Sequence, residues 1–408
     1  MRKPLKYVLC ASLCALTLFA GCNQPETSSN TQTETTAAPT TVKPTVTQPV
    51  TEAPTTTPST SDNAREPVRK YNFLAIKQKS DAIDASLKDI IGKNNYMGSV
   101  YLKLGNDLEF IECAGYSNEV ERMNNSIHTC FYTGSLTKHI TATAVLQLAE
   151  QKKIDLDDKI GKYLPDCSYG DKVTVRNLLT MTSAVPGYTK ETAEGSNNCV
   201  LKEELAKKVK KDSSERDNHK VIIDWILSQK LNGKPGAKFE YSDSNYYLLG
   251  DIIEKVSGTG YSAYVKENIL KPLGMSRSGF KPPQNLAVSY TDGKDDCKLL
   301  YAGVGYSSLG FISNISDTIR YIEGLLDESL INSDSLMLMH TEFKDGYGYS
   351  VNISGDRMSI ASTIGAYSTK ITYATDESEL FAAYSNYASS DSDSLHTQFK
   401  KYLSVYYI

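Results

Sequence analysis

A serine and a lysine three residues apart, Ser135 and Lys138, are the side chains in this sequence best suited to nucleophilic chemistry. They lie in the stretch FYTGSLTKHITATAVLQLAEQ (131–151), whose spacing predicts a helix that starts after Gly134. Residues three apart share a helix face, so the two side chains would meet. The apolar side of the predicted helix consists of Ile140, Val145 and Leu148. A serine hydroxyl attacks carbonyls once a neighbouring base takes its proton, and the free N–H groups of a helix start can hold an oxyanion.

The same pair also has an ordinary structural interpretation. Ser135 can be a helix N-cap, and Lys138 can be a solvated residue of the first turn. The pattern Ser-x-x-Lys is short, and the chain repeats it at Ser278 and Lys281, in a stretch without helical spacing. A second motif is therefore needed before Ser135 and Lys138 are interpreted as a catalytic pair.

That second motif is KPGAKFEYSDSNYYLLGDIIEKVSG (234–258), which predicts a turn followed by a helix. Tyr241 lies on the loop just before this helix, where a phenol can project into a cleft. A phenol beside a buried ammonium ionises more easily and can relay protons to a leaving group. The alternative is a half-buried aromatic residue, since the chain has 27 tyrosines.

Together these stretches resemble the serine β-lactamase and penicillin-binding protein superfamily, in the branch of class C β-lactamases, D-alanyl-D-alanine carboxypeptidases and related esterases. The resemblance runs from about residue 70 to 405. It is carried by five stretches in the family's order: SLTK (135–138), QLAEQKKIDLDDKIGKYLPD (147–166), VTVRNLLTMTSAVPGY (173–188), FEYSDSNYYLLGDIIEKVSG (239–258) and NILKPLGM (268–275).

The resemblance implies an α+β domain with the β-lactamase/transpeptidase-like fold, an antiparallel sheet flanked by helices plus a mostly helical lobe. This domain would cover residues 65–408, with the α/β lobe at about 65–150 and 300–408 and the helical lobe at about 151–299. The predicted strands are 97–103, 108–115, 345–353, 357–363, 369–375 and 379–385, and the predicted flanking helices are 68–92 and 388–404.

The resemblance also implies a covalent acyl-enzyme mechanism. Ser135 would attack a carbonyl, Lys138 would help to remove its proton, and Tyr241 would protonate the leaving group and later activate water. Asp243 occupies the third place of the family's Tyr-x-Asn motif. An ionised aspartate only accepts hydrogen bonds, so Asp243 would recognise an amide side chain of a substrate less well than asparagine, but it could still hold Lys138 charged and oriented.

The third family motif, Lys/His-Thr/Ser-Gly on a strand beside the cleft, is altered in this chain. The matching segment RMSIASTIGAYSTKITY (357–373) places Ile360-Ala361-Ser362 at the motif. Asp243, Ser362 and Thr363 are the predicted substrate-binding residues, with the N–H of Thr363 as an oxyanion donor. Arg357 and Lys370 are the nearest cations that could replace the missing one. Without it, we expect weak activity on carboxylate-bearing substrates and better activity on neutral esters or amides.

The N-terminal part of the chain predicts where the protein works. Residues 1–22 have a basic start, a short apolar run and Ala20-Gly21-Cys22, which is typical of a lipoprotein signal peptide with a lipobox. Cys22 would then be lipidated and anchor the chain to the membrane of a bacterial cell envelope. The alternative is an ordinary signal peptide with an incidental cysteine. Residues 23–64 predict a disordered linker, because 25–64 contain 14 threonines and 6 prolines.

Charge and motifs exclude several other classes of function. The net charge of −4, without a basic cluster interleaved with aromatics, argues against nucleic-acid binding. The charged stretch 202–220 predicts a solvated excursion that could also shape access to the cleft. No metal or cofactor motif is present, so no cofactor is predicted. Secretion permits disulfides, but the odd number of domain cysteines leaves at least one unpaired: Cys113, Cys130, Cys167, Cys199 and Cys297.

Two classes of function remain after this reading. The first is a cell-surface serine acyl-hydrolase acting on a peptidoglycan peptide, an ester or a β-lactam-like small substrate. The second is a non-catalytic binding or sensor protein that keeps the fold. Intact Ser135, Lys138 and Tyr241 favour the first class, whereas Ile360 and Asp243 favour the second or a shifted substrate.

Overall fold

Segments from both ends of the domain form one antiparallel sheet. The computed structural model describes residues 81–106, 108–190, 200–290 and 297–404. The strands are β1 (Gly98–Leu104), β2 (Leu108–Ala114), β3 (Tyr116–Asn118), β4 (Met123–Asn124), β5 (Phe131–Tyr132), β6 (Thr189–Lys190), β7 (Val200–Leu201), β8 (Ile312–Ser313), β9 (Asn352–Ser354), β10 (Arg357–Ile364), β11 (Tyr367–Ala374) and β12 (Glu379–Ser385). Six of them form the main sheet in the order β2-β1-β12-β11-β10-β9, and the other six form three small two-stranded pairs.

The helices occupy both faces of this sheet and the middle of the chain. They are α1 (Asp81–Lys93), α2 (Leu136–Glu150), α3 (Val175–Leu179), α4 (Glu203–Ala206), α5 (Glu215–Ser228), α6 (Asp243–Ser257), α7 (Tyr261–Val265), α8 (Tyr306–Leu309), α9 (Ile315–Leu326), α10 (Ser333–Met339) and α11 (Ser392–Leu403). None of these helices is long and apolar enough to cross a lipid bilayer within the described ranges. The α+β class and the β-lactamase/transpeptidase-like fold predicted from the sequence are confirmed.

Some predicted segments lie outside the described residues. They are the signal peptide 1–22 with Cys22, the linker 23–64, the first part of the predicted helix 68–92, and Cys199. The described part of that helix is α1, and the predicted C-terminal helix is α11. Five of the six predicted strands are present, with ends shifted by no more than two residues.

The predicted strand 345–353 is wrong over most of its length. Only β9, at its end, is extended, and the residues before it form turns. Asp345, Gly346 and Ser350 have φ values of +52°, +71° and +67°. This left-handed backbone interrupts the extended path that a strand requires, so the alternating tyrosines of this segment do not lie on a sheet.

Both faces of the sheet are buried, and nearly every residue of the central strands β11 and β12 is buried, polar side chains included. Val100 and Leu102 pack with α1 and α11 on one face, whereas Tyr101 between them packs into the larger core on the other face. The two groups of residues separate in this way because successive side chains along a strand point to opposite faces of the sheet. The larger core also contains α2 and the helices of the middle segment, so the start of α2 lies between the sheet and the helical lobe.

Helix α2 is enclosed on every side rather than apolar on one side. Every residue from 136 to 148 is buried, including several with polar side chains. These polar groups have partners: Thr141 Oγ1 donates to the carbonyl oxygen of Ser307 at 2.7 Å, and Gln147 Nε2 donates to that of Leu330 at 3.0 Å. Buried hydrogen bonds of this kind fix the rotation of the helix about its axis. The side chains at its start are therefore held in one orientation.

A buried chain of hydrogen bonds passes through His139, next to Lys138. His139 Nδ1 lies 2.6 Å from the hydroxyl of Tyr321, and its Nε2 lies 3.0 Å from that of Tyr373. Tyr373 also contacts His340 Nε2 at 3.0 Å. One direction of donation, from His340 through Tyr373 and His139 to Tyr321, satisfies these atoms with both imidazoles neutral. Burial lowers the pKa of His139 to about 3 and that of His340 to about 4.

Candidate active site

Three side chains from two elements meet around one hydroxyl group. Ser135 immediately precedes α2, and its Oγ lies 3.1 Å from the hydroxyl of Tyr241 and 3.3 Å from Nζ of Lys138. Lys138 also lies 5.3 Å from the centre of the Tyr241 ring. Ser135 and Tyr241 are half-buried, whereas Lys138 is 1 % exposed. A serine with two potential proton-transfer partners at its own oxygen is the arrangement that an activated nucleophile requires.

The ammonium of Lys138 is surrounded by three acceptors. Its Nζ lies 2.7 Å from Asp243 Oδ1, 3.2 Å from the carbonyl oxygen of Ser308 and 3.3 Å from Ser135 Oγ. An ammonium group has three N–H donors and no acceptor, so each donor has one partner. In this arrangement Lys138 donates to Ser135 Oγ, which leaves the serine proton directed towards Tyr241.

Asp243 is the first residue of α6 and is itself 1 % exposed. Its Oδ2 accepts a hydrogen bond from Thr189 Oγ1 at 2.5 Å, and its Oδ1 accepts a longer one from Ser308 Oγ at 3.4 Å. A buried carboxylate needs such partners because leaving water costs several kcal/mol. Both oxygens of Asp243 are therefore engaged, Oδ1 in a buried ion pair with Lys138, and this burial gives no support to the predicted role of Asp243 in substrate binding.

The structural alternatives for these residues do not match the observed contacts. Ser135 occupies the N-cap position of α2, but its side chain makes no capping hydrogen bond. Lys138 is buried rather than solvated. At the second Ser-x-x-Lys pattern, Ser278 Oγ bonds to Ser313 and Asp317 instead of Lys281. Within the described residues, only the first pattern has its lysine within hydrogen-bond distance of its serine.

Among the residues that the structure describes, no strand pairs beyond residue 359 with the edge of β10 that faces away from β11. β9 pairs with Arg357, Met358 and Ser359 only, whereas β11 pairs with the whole of β10. Two-residue turns close both hairpins, and a hairpin of this type ends in a hydrogen-bonded pair. The backbone N–H and C=O groups of even-numbered residues of β10 therefore bond to β11. Those of odd-numbered residues point to the opposite edge of the strand. It follows that the backbone N–H groups of Ala361 and Thr363 point out from the open edge.

Ser362 connects this strand to the turn that carries the nucleophile. Gly134 has φ of +53°, and a Cβ added there would overlap the hydroxyl oxygen of Ser362 and lie 2.9 Å from its Cβ. β10 thus lies directly against the residue before Ser135. Ser362 is 3 % exposed, and its hydroxyl has no hydrogen-bond partner among the described residues. The backbone N–H of Ser135 likewise donates to none of them, so it remains available as an oxyanion donor.

Neither Arg357 nor Lys370 takes the place of the missing motif residue. Ile360 is 2 % exposed and belongs to the larger core. Arg357 Nε bonds to Glu379 at 2.8 Å, and Lys370 Nζ pairs with Asp393 at 2.6 Å and donates to Ser359 at 2.9 Å. The two nearest cations in sequence are therefore each paired with a carboxylate.

Tyr347 belongs to the site although the sequence reasoning did not select it. Its ring meets the Tyr241 ring edge-on at 6.5 Å, and it is 4 % exposed. Burial raises the pKa of Tyr347, the nearby Tyr241 raises it further, and Lys138 acts in the opposite direction. Tyr347 lies in the segment that was predicted as a strand, so its position next to Tyr241 depended on turns that the alternating pattern concealed.

Within the described residues, no group of three or more His, Cys, Asp or Glu side chains could hold a metal ion. Three of the described domain cysteines are free thiols: Cys113, Cys130 and Cys167. The site is therefore built from a serine, a lysine, a tyrosine and an aspartate, with a strand edge beside them.

This fold and site agree with the comparison to known families. The Beta-lactamase family model matches residues 97–401, so the chain belongs to the beta-lactamase family. That match covers Ser135, Tyr241 and β10, and it extends into α11.

Individual relatives share about 30% of their residues with the matched part of this chain. PbpX of Bacillus subtilis (strain 168), a protein provisionally named as penicillin-binding, is 30% identical over 224 residues, which are 54% of this chain and 51% of that protein. Protein flp of Staphylococcus aureus (strain N315) is 29% identical over 210 residues, 50% of this chain and 39% of that protein. The chain thus spans about half the length, or less, of the curated relatives it matches.

A solved structure covers more of the domain. The penicillin binding protein from Bacillus halodurans superposes with a TM-score of 0.66 at 25% sequence identity, covering 78% of this chain and 98% of that one. The D-amino acid amidase from Ochrobactrum anthropi SV3 gives a TM-score of 0.63 at 19% identity, covering 79% and 99%. At 19% identity the second likeness shows the fold alone.

Proposed function

We propose that this chain is a serine acyl-hydrolase of the bacterial cell envelope, related in activity to D-Ala-D-Ala carboxypeptidases and esterases. The observation that carries the proposal is the position of Ser135 Oγ, within hydrogen-bond distance of both Lys138 Nζ and the Tyr241 hydroxyl. Membership of the beta-lactamase family supports the same class of reaction.

The proposed acylation starts with attack of Ser135 Oγ on a substrate carbonyl carbon. The serine proton moves to the Tyr241 oxygen as the proton of the Tyr241 hydroxyl moves to the leaving oxygen or nitrogen, while Lys138 stabilises the negative charge that develops on Oγ. The N–H groups of Ser135 and Thr363 hold the oxyanion. In deacylation, the water oxygen attacks the acyl carbon and a water proton moves to the Tyr241 oxygen. The proton of the Tyr241 hydroxyl moves to Ser135 Oγ as the bond between Oγ and the acyl carbon breaks. Asp243 keeps Lys138 in place throughout.

The proposed substrates are neutral esters or amides in preference to substrates that end in a carboxylate. A charge-assisted hydrogen bond contributes about 1.5–3 kcal/mol, which is roughly a tenfold to hundredfold change in a rate or affinity. Ile360 cannot supply that bond, and Arg357 and Lys370 are engaged by Glu379 and Asp393. The open edge of β10 instead offers backbone N–H and C=O groups, which bind an extended substrate without regard to its charge.

The decisive experiment is intact-mass analysis after exposure to a fluorophosphonate and, separately, to a penicillin. We expect one fluorophosphonate adduct per chain, mapped by peptide analysis to Ser135, and a much slower reaction with penicillin. The Ser135→Ala variant should give neither adduct. Kinetics on a matched pair of substrates, a D-Ala-D-Ala peptide and its neutral ester, should favour the ester. A strong preference for the acid would refute the substrate class while leaving the mechanism intact.

The cell-envelope location rests on the lipobox-like sequence at Cys22 and on the linker composition of residues 23–64. Mass spectrometry of membrane-fraction protein tests it directly. We expect a lipid-modified N-terminal cysteine, and an unmodified N-terminus would contradict the anchor.

A second candidate is a non-catalytic binding or sensor protein with the same cleft. The buried Ile360 at the position of the family's cation favours it, because the substrate clamp of the family is missing. Failure of both reagents to label the folded chain would select this alternative.

A further inference from the structure

A groove lined by lysines lies on the helical lobe, away from the catalytic residues in the sequence. It runs between residues 159–172 and residues 229–235 and encloses about 730 Å³. Four exposed lysines line it: Lys159, Lys172, Lys230 and Lys234. No aspartate or glutamate lines the groove. This local excess of positive charge contrasts with the net charge of −4 of the whole chain.

The groove lysines differ from their neighbours in lacking carboxylate partners. In the same two parts of the chain, Lys162 pairs with Asp158 at 2.6 Å, and Lys238 pairs with Glu240 at 2.8 Å. None of the four groove lysines forms an ion pair with a described residue. Lys159 Nζ donates only to a backbone carbonyl, that of Lys172, at 2.9 Å. The positive charge of the groove is therefore not balanced from within the described fold.

The other polar groups of the groove are already engaged. Tyr169 is 2 % exposed, and its hydroxyl donates to the carbonyl oxygen of Ile226 at 2.9 Å. Ser168 Oγ donates to the carbonyl oxygen of Leu227 at 3.0 Å. Since the one aromatic residue that lines the groove is buried, no ring face is offered for stacking on a nucleobase. What the groove presents to a ligand is ammonium charge along an open channel.

We propose that this groove binds a linear polyanion that carries phosphate groups along its length. A single small anion is held by donors that converge on one point. The four ammonium groups of this groove are instead distributed around an open channel, which matches a ligand with charges repeated along its length. Lysine binds phosphate as a point charge, without the fork geometry that arginine imposes. A concave surface also excludes the flat face of a bilayer. Binding releases counterions from the polymer, so affinity must fall steeply with salt.

The test uses the full chain and fluorescently labelled inorganic polyphosphate, with anisotropy measured at several NaCl concentrations. We expect the triple variant Lys172→Gln, Lys230→Gln, Lys234→Gln to lose at least tenfold in affinity at low salt. The slope of log affinity against log salt should fall by about 2, since each lost contact removes roughly 0.7 from the slope for a single-stranded polyanion.

A second groove supplies a matched control with the same change in charge. Lys266, Lys271 and Lys281 line it, and Lys271 is paired with Glu267 at 3.0 Å. The triple variant of these residues to glutamine should change polyphosphate affinity less than twofold. Both triple variants should hydrolyse a small neutral ester like the parent chain, which separates this groove from the catalytic site.

Three outcomes would overturn the proposal. Equal losses in the two triple variants would show attraction to general charge rather than to this groove. Binding to phosphatidylglycerol vesicles that depends on the groove lysines, without binding to polyphosphate, would assign the groove to a membrane surface. Tighter binding to an RNA homopolymer than to polyphosphate with the same number of phosphates would assign it to nucleic acid.

Discussion

Lys138 Nζ and Asp243 Oδ1 lie 2.7 Å apart, and each side chain is 1 % exposed. The pair joins the first turn of α2 to the first residue of α6, so it connects the nucleophile's helix to the loop that presents Tyr241. Its partners from Thr189 and Ser308 complete the shell of the carboxylate. The two motifs recognised in the sequence are thus linked by one buried ion pair.

Breaking this pair is expected to destabilise the fold as well as the site. Asp243→Ala leaves an uncompensated buried ammonium, and losses of about 3–5 kcal/mol are typical when one partner of a buried pair is removed. Urea unfolding and ester hydrolysis should both report the loss. The control is Asp224→Ala, which breaks an exposed pair with Lys220 of the same 2.7 Å length and should cost below about 1 kcal/mol. Equal effects would contradict the role assigned to burial.

Removing only the phenolic oxygen of Tyr241 should separate chemistry from folding. Tyr241→Phe keeps the ring contact with Tyr347 but loses the hydroxyl that lies 3.1 Å from Ser135 Oγ. We expect kcat for ester hydrolysis to fall by roughly 10²–10⁴-fold, the usual contribution of a positioned acid or base, with a thermal midpoint close to that of the parent. Full activity in this variant would remove Tyr241 from the mechanism.

Gly134 is expected to tolerate no side chain because Ser362 occupies the space beside it. Gly134→Ala combines a left-handed φ of +53° with a steric overlap, whereas Gly258→Ala has φ of +71° and open space around it. The control should lose about 1 kcal/mol from backbone strain alone, and Gly134→Ala should lose at least about twice as much. Unfolding free energies measure both changes.

A double-mutant cycle tests whether Ser362 is the cause. Adding Ser362→Gly to Gly134→Ala removes the overlapping atoms and should recover about 1 kcal/mol or more of the loss, although the backbone strain remains. Strict additivity of the two changes would show that the loss at Gly134 has another origin.

His139 is expected to make the fold sensitive to acid. Burial lowers its pKa to about 3, whereas an unfolded histidine titrates near 6.5. Between these values the unfolded state binds more protons, so stability is complete above about pH 6.5 and is lost as the pH falls. From pH 7.5 to pH 5, His139 alone should remove about 2 kcal/mol. His340 and His396, whose pKa values burial lowers to about 4, act in the same direction.

Urea unfolding at several pH values measures this effect, and His139→Gln is the informative variant. It should be less stable than the parent at pH 7.5, because its amide cannot reproduce both tyrosine contacts, but it should lose less on going to pH 5. An unchanged pH slope in the variant would show that other groups control the acid response.

Two kinds of information allowed the fold, and the residues around Ser135, to be predicted from the sequence. Helix α2 and helix α6 have strong local patterns, so the loop residue Tyr241 and the start of α2 could be placed at a common cleft. The resemblance to the family supplied the long-range part, because spacing alone does not indicate which helix starts meet. The possible interaction of Asp243 with Lys138 followed from the family motif, which placed both residues at one site, and from their opposite charges; the two groups do lie together.

Other features depended on backbone geometry that the residue pattern does not encode. The tyrosines around Tyr347 alternate as in a strand, but positive φ values at Gly346 and Ser350 fold the segment into turns. The hydrogen-bond chain through His139 joins residues up to 234 positions apart in sequence. Neither property is visible in local spacing, so both escaped the prediction.

The complete enclosure of α2 has a consequence for how heat should inactivate the protein. The nucleophile and its lysine sit at the start of a segment that touches protein on all sides, so this part of the cleft cannot loosen while the rest stays intact. Heating should therefore abolish turnover and unfold the domain over the same temperature interval. No folded but inactive state should appear at lower temperature.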